Sequence, residues 1–149
     1  MDDTFMNQGI DSYIREQFGI GDVDVRTYSP LTLAYIGDGV FDLVIRSLVV
    51  AGGNTKASQL HARTSHIVKA ATQAQMAEAL SPHLTEEEAD IYRRGRNAKS
   101  PTMAKNASMS DYRSATGFEA LIGYLYLTDR FARIVELTKL ALNELNIKP

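Results

Sequence analysis

The chain has 149 residues, of which 44% are apolar and 23% charged, the proportions of one soluble globular domain with a core of its own. It contains no cysteine, which excludes a disulfide framework and a thiolate zinc site. The acidic start Met1-Asp2-Asp3-Thr4 is unlike a signal peptide, and no apolar run approaches the roughly 20 residues that span a bilayer, so the expected location is the cytoplasm, with no membrane partner.

In chain order, a weak helical pattern over residues 8 to 18 comes first, and Val23 and Val25 give the one hint of strand-like alternation. Ser29 as N-cap and Pro30 at the first helical position then open a long helix that runs through LTLAYIGDGVFDLVIRSLVV and stops at Gly52-Gly53. Leu33, Ile36, Val40, Phe41, Val44, Ile45, Leu48 and Val49 cover most of its circumference, which predicts a helix in the middle of the fold. Residues 55 to 80 predict one or two helices with Leu60, Ile67, Met76 and Leu80 inward and a stop at Ser81-Pro82. Thr85 followed by Glu86, Glu87 and Glu88 is a capping box with acids in the first turn, and that helix closes in Arg93-Arg94-Gly95-Arg96. Beyond Pro101, Ser110 is the expected N-cap of a second very apolar helix containing Tyr112, Ala115, Phe118, Leu121, Ile122, Leu125 and Leu127. Residues 129 to 145 add a final amphipathic helix. The pattern predicts an all-α domain of about six or seven helices over residues 29 to 146, preceded by an extension over residues 1 to 28.

The formal net charge is −2, but it is unevenly spread. Residues 91 to 110 hold Arg93, Arg94, Arg96, Lys99 and Lys105 and no acid, whereas the rest of the chain keeps 11 basic residues against 18 acidic. Such a segment is either a solvated helix end whose cations complement the dipole or a local surface for an anion.

Two acids lie inside the two most apolar helices: Asp38 in YIGDGV and Glu119 in GFEALIG. An ionised carboxylate removed from water needs a partner. Arg46 or Arg113 could serve each acid separately; alternatively the two converge on a hard divalent cation, for which magnesium with one or two protein carboxylates and several waters is the expected choice. Glycines 37, 39, 117 and 123 would let helix backbones approach closely or leave room for an ion. Asp42 shares the face of Asp38 one turn on, and pairing with Arg46 a further turn away is its expected role. Histidines 61, 66 and 83 form no ligand set, and Tyr92, Tyr112, Tyr124 and Tyr126 read as packing residues. No nucleophile elbow and no phosphate-binding loop of the G-x-x-x-x-G-K type occurs. A metal-binding acid pair near a basic, asparagine-containing segment suits phosphodiester cleavage.

The stretch LAYIGDGVFDLVI resembles the signature helix of the ribonuclease III family, and GFEALIGYLYL resembles that family's second catalytic helix. The combination of LAYIGD, RRGRNAKS and YRSATGFEALIGYLYL resembles more narrowly its short bacterial branch, Mini-ribonuclease III, in which the catalytic domain stands without a double-stranded-RNA-binding domain. The resemblance implies an all-helical, two-fold homodimer that cuts double-stranded RNA with Mg2+, leaves 5′-phosphate ends, and trims the precursor of 23S ribosomal RNA, alone or with a ribosomal protein presenting the substrate. It implies Asp38 and Glu119 as catalytic metal ligands, and Arg94, Arg96, Asn97, Lys99, Lys105 and Arg113 as RNA contacts. Longer family members carry a glutamate where Ala34 stands, another acid near Leu31 and an aspartate where Thr116 stands, so the rest of the coordination would come from water, phosphate oxygens and a water held by Thr116. These missing acids keep open a second reading, a non-catalytic dimeric RNA-binding or ribosome-assembly factor on the same fold.

Overall fold

The computed structural model describes residues 9 to 99 and 108 to 149. Among these, seven α-helices and two short 3-10 turns form the fold, with no strand: α1 (Ile10–Gln17), α2 (Pro30–Ala51), α3 (Ala57–Val68), α4 (Ala70–Leu80), α5 (Glu86–Asn97), α6 (Met109–Leu127) and α7 (Phe131–Glu144). Val25, which alternation placed in an extended segment, begins the first 3-10 turn, Val25–Thr27; the Asp24 carboxylate accepts from the Arg26 N–H there and bends the chain.

Helix starts follow the local chemistry. The Thr32 N–H donates to Ser29 Oγ with Pro30 at the first turn, and Thr85 and Glu88 complete the capping box in both directions. The α6 start differs from expectation, because Ser108 and not Ser110 is the cap: its hydroxyl accepts from the Asp111 N–H at 3.0 Å. Ser110 lies inside the first turn. Helix ends were less legible. Asp129 (φ 58°) and Asn146 (φ 55°) adopt the left-handed conformation after α6 and α7, and Arg130 N–H to Leu125 O (2.8 Å) and Ile147 N–H to Leu142 O (2.9 Å) close Schellman motifs.

The central helices α2 and α6 pack against each other, and α3, α4, α5 and α7 cover the pair. Phe41 and Phe118 meet edge to face, with centroids 5.0 Å apart and planes at 85°, in a core that also takes Ile45, Met76, Leu121, Ile122, Leu125, Ile134 and Leu137. A smaller cluster of Leu33, Ala34, Ile91, Ala120 and Tyr124 seats α5. Residues 55 to 80 fold as two helices that meet at Lys69, whose extended backbone (φ −67°, ψ 155°) ends α3 and begins α4. That elbow is stitched by side chains: the Thr72 hydroxyl donates to His66 O at 2.7 Å and the Gln73 amide to Val68 O at 2.8 Å.

Polar clamps tie the first turn of α5 to the α6–α7 corner. Arg130 forks onto Glu87 at 2.8 and 3.2 Å, lies 5.3 Å above the Tyr124 ring, and Tyr124 Oη donates to the same carboxylate at 2.7 Å. These donors hold Glu87 down at about 2. Next to it, buried Glu88 takes two hydrogen bonds from Arg133, both at 2.9 Å, and Arg133 also donates to His83 O.

Candidate active site

The site is set by a backbone crossing. A Cβ on Gly37 would overlap the Glu119 carbonyl oxygen and come within 2.7 Å of the Gly123 amide nitrogen, and a Cβ on Gly123 would overlap Leu33 O. Only hydrogen fits at either position, so α2 and α6 approach until their backbones touch. Gly117 and Gly95 make the equivalent crossing between α5 and α6, where Cβ atoms would collide with Tyr92 O and with Gly117 Cα. Gly39 is the exception to the expectation: nothing of this chain lies within 4 Å of its missing Cβ, and it faces open space.

The crossing brings Asp38, the residue after Gly37, against Glu119, and the two carboxyl groups hydrogen-bond to each other. Burial first, then the hydrogen bond and charge of Asp38, push Glu119 up from 4.5 to about 8. No cation among the described residues pairs with either acid; Arg46 is taken by Asp42 at 2.6 Å, as the one-turn spacing predicts. Two carboxyls in contact form a site that prefers a positive charge between them, and the donor set, two hard oxygens at an open edge, fits a divalent cation that keeps most of its waters. No group of three or more ligating side chains occurs among the described residues, so water and substrate would complete the shell.

Two expectations need correction. The acids do not meet in an apolar interior: Asp38 is exposed and Glu119 half-buried, because Asp38 points from the solvent side of α2 and only Glu119 lies under neighbouring helices. Thr116 is also no holder of water, since it is buried and its hydroxyl donates to Tyr112 O at 2.9 Å in its own helix. Ala34, where longer family members carry a glutamate, is buried in the smaller apolar cluster with Leu33, Ile91, Ala120 and Tyr124.

Of the basic candidates, Arg94, Arg96, Asn97 and Lys99 are exposed at the C-terminal end of α5, and Arg113 is exposed on the first turns of α6. Arg96 shares a polar cavity of about 360 Å³ with Glu78, Tyr92, Asp111 and Ser114. Arg93 pairs with Asp90 and is thereby occupied. Lys105 lies outside the described residues. One residue near the site was missed by sequence reasoning: Gln73 of α4 is buried, its amide donates to Val68 O, and its influence on Glu119 is to favour the charged form. A buried glutamine in a small, alanine-rich helix was the available signal.

The model of the ribonuclease III domain matches residues 31 to 130, which include all four crossing glycines and both acids. The chain belongs to the ribonuclease III family. Within that family it is similar to proteins named Mini-ribonuclease 3: that of Clostridium tetani is 46% identical over 121 residues, 80% of each chain, and that of Enterococcus faecalis is 47% identical over 116 residues, 76% of this chain and 88% of the relative. A crystal structure of a Fusobacterium nucleatum protein superposes with a TM-score of 0.75 at 28% identity, covering 82% of this chain and 99% of the other. The ribonuclease III fold is all-α here as expected, and the family makes the chain an endoribonuclease acting on RNA rather than a binding factor alone. No helix among the described residues is long and apolar enough to cross a membrane.

Proposed function

We propose that this endoribonuclease cuts double-stranded RNA with Mg2+ held between Asp38 and Glu119. The observation that carries the reading is the contact between the two carboxyls, with Glu119 pushed up to about 8 by burial and by Asp38 and no cation among the described residues paired with either. A bound Mg2+ would supply a water of lowered pKa and neutralise charge on the scissile phosphate. Asp38 is exposed, which supports a site at the surface, open to a duplex too wide for a pocket. Arg94, Arg96, Asn97, Lys99 and Arg113, together with Lys105, supply contacts to phosphate and ribose, which suits A-form RNA read by backbone and shape.

A two-fold homodimer is supported by the outer stripe of α2. Tyr35 (83% exposed), Gly39, Leu43 and Val50 follow one face of the helix and are exposed. A mid-helix glycine in open space costs about 1 kcal/mol of helix propensity, and a second copy approaching there gives it a reason. Asp38 borders this stripe, so a dimer would set two acid pairs across one duplex. A stem in the 23S ribosomal RNA precursor, presented with or without a ribosomal protein in the cytoplasm, is the substrate that the family resemblance implies.

The test is Asp38→Asn, which keeps size and removes charge. The variant should fold, bind duplex RNA and fail to cleave it, and the wild type should stop cleaving when a chelator removes divalent ions. Cleavage by the variant would take Asp38 out of the mechanism. Light scattering that shows an active monomer would remove the dimer.

A further inference from the structure

Glu78 stands where its charge is unfavourable on two counts. It lies in the last turn of α4, at the negative end of the helix dipole, and no basic residue occupies that turn. It also lines the polar cavity of about 360 Å³ together with Tyr92, Arg96, Ser110, Asp111 and Ser114, and Arg96 is one of the exposed basic residues at the end of α5. An acid there repels the phosphates that Arg96 attracts. The Glu78 carboxylate is exposed and forms no ion pair or hydrogen bond with Arg96 or any other described residue, so no partner within the described fold offsets that cost. Asp111, the other acid of the cavity, has a structural reason, since it lies in the first turn of α6 where the dipole favours it. Glu78 has no such reason.

What an RNA duplex presents beside its phosphates is a row of ribose 2′-hydroxyls across the shallow minor groove. A 2′-hydroxyl is a donor that DNA lacks, and an ionised carboxylate only accepts. Ser114 and Asp111 precede Glu119 by five and eight residues on α6, about 8 and 12 Å along the axis, so the cavity and the acid pair lie within the span of one duplex. We infer that Glu78 is a specificity-determining residue of the nuclease: its carboxylate accepts a hydrogen bond from one ribose 2′-hydroxyl of the strand whose phosphate Arg96 holds, and makes cleavage depend on the substrate being RNA near the cut. The inference rests on the proposed cleavage of duplex RNA with the end of α5 on its backbone.

The test measures kcat/KM for wild type, Glu78→Ala and Glu78→Gln on a short RNA duplex and on a set in which single 2′-hydroxyls around the cut are replaced by hydrogen. In wild type one replacement should lower kcat/KM by about 10- to 100-fold, the worth of a hydrogen bond to a charged group. Glu78→Ala should lose a similar factor on the all-RNA duplex and lose nothing more at that position, because the two changes remove one contact. Glu78→Gln, whose amide oxygen still accepts, should lose less and stay sensitive at the same position. The melting temperatures of both variants should stay at or above that of wild type, since a negative charge leaves the negative end of a helix. A surface acid that only repels phosphate would behave in the opposite way. Unchanged or raised kcat/KM in Glu78→Ala on every duplex would therefore overturn the inference, as would a replacement profile the same as in wild type, or a wild type with no sensitive position. A wild-type protein that cuts no RNA duplex would instead sink the substrate reading beneath it, and the inference with it.

Discussion

Glu119→Gln separates the stability of this site from its chemistry. In the native fold Glu119 releases its proton at about 8 against 4.5 for an ordinary glutamate. Between those values the folded chain holds a proton that the unfolded chain has lost, so the stabilising contribution is complete below about 4.5 and disappears as pH rises through about 8. A shift of that size corresponds to an upper bound on the order of 5 kcal/mol. The neighbouring Asp38 stands in solvent, which screens the pair, so a realised loss of about 1–3 kcal/mol across the window is expected. Glutamine keeps the shape and does not titrate. Urea denaturation in chelator at pH 5, 6.5 and 8.5 should show wild type losing stability with pH by that amount relative to Glu119→Gln, with the variant more stable at pH 8.5 and inactive on RNA. Adding Mg2+ at pH 8.5 should raise the stability of wild type and not of the variant. Parallel pH curves for the two proteins would refute the raised Glu119 proton affinity.

Three further perturbations test other parts of the structure. Gly37→Ala forces α2 away from the Glu119 backbone, so stability should fall by about 3 kcal/mol or more and cleavage should vanish, measured by thermal melting and RNA cleavage; near-wild-type stability would contradict the backbone contact. Glu88→Ala removes half of the capping box and leaves Arg133 without its buried partner, for an expected loss of about 2–4 kcal/mol by urea denaturation with cleavage retained at permissive temperature; a loss below about 1 kcal/mol would show that the clamp is weak. Arg94→Ala combined with Lys99→Ala should weaken duplex binding and reduce the slope of log affinity against log salt by up to about 2, because two phosphate contacts are removed; an unchanged slope would place the RNA elsewhere.

The elements that the sequence made legible are those fixed by neighbours a few residues apart. Ser29 before Pro30, the Thr85–Glu88 box and the Asp42–Arg46 pair all form as read, because a cap or a one-turn ion pair depends on a stretch of backbone that is already helical. Even at that range Ser108 and Ser110 compete for the start of α6, and Asp129 and Asn146 end helices in a conformation where glycine is the usual marker.

The two acids stood out in the sequence as charges inside apolar helices, which was enough to nominate a cation site. Whether they meet is a different kind of fact. It depends on Gly37 and Gly123 letting two backbones touch, and the same sequence with a wider crossing would leave Asp38 and Glu119 apart. Only the packed structure shows Asp38 on the solvent side, Gly39 facing outward, and Gln73 of α4 buried near Glu119. Local order follows from hydrogen bonds and propensities within a turn or two, whereas a site shared by helices distant along the chain is fixed by steric fit between their surfaces, which no single segment encodes.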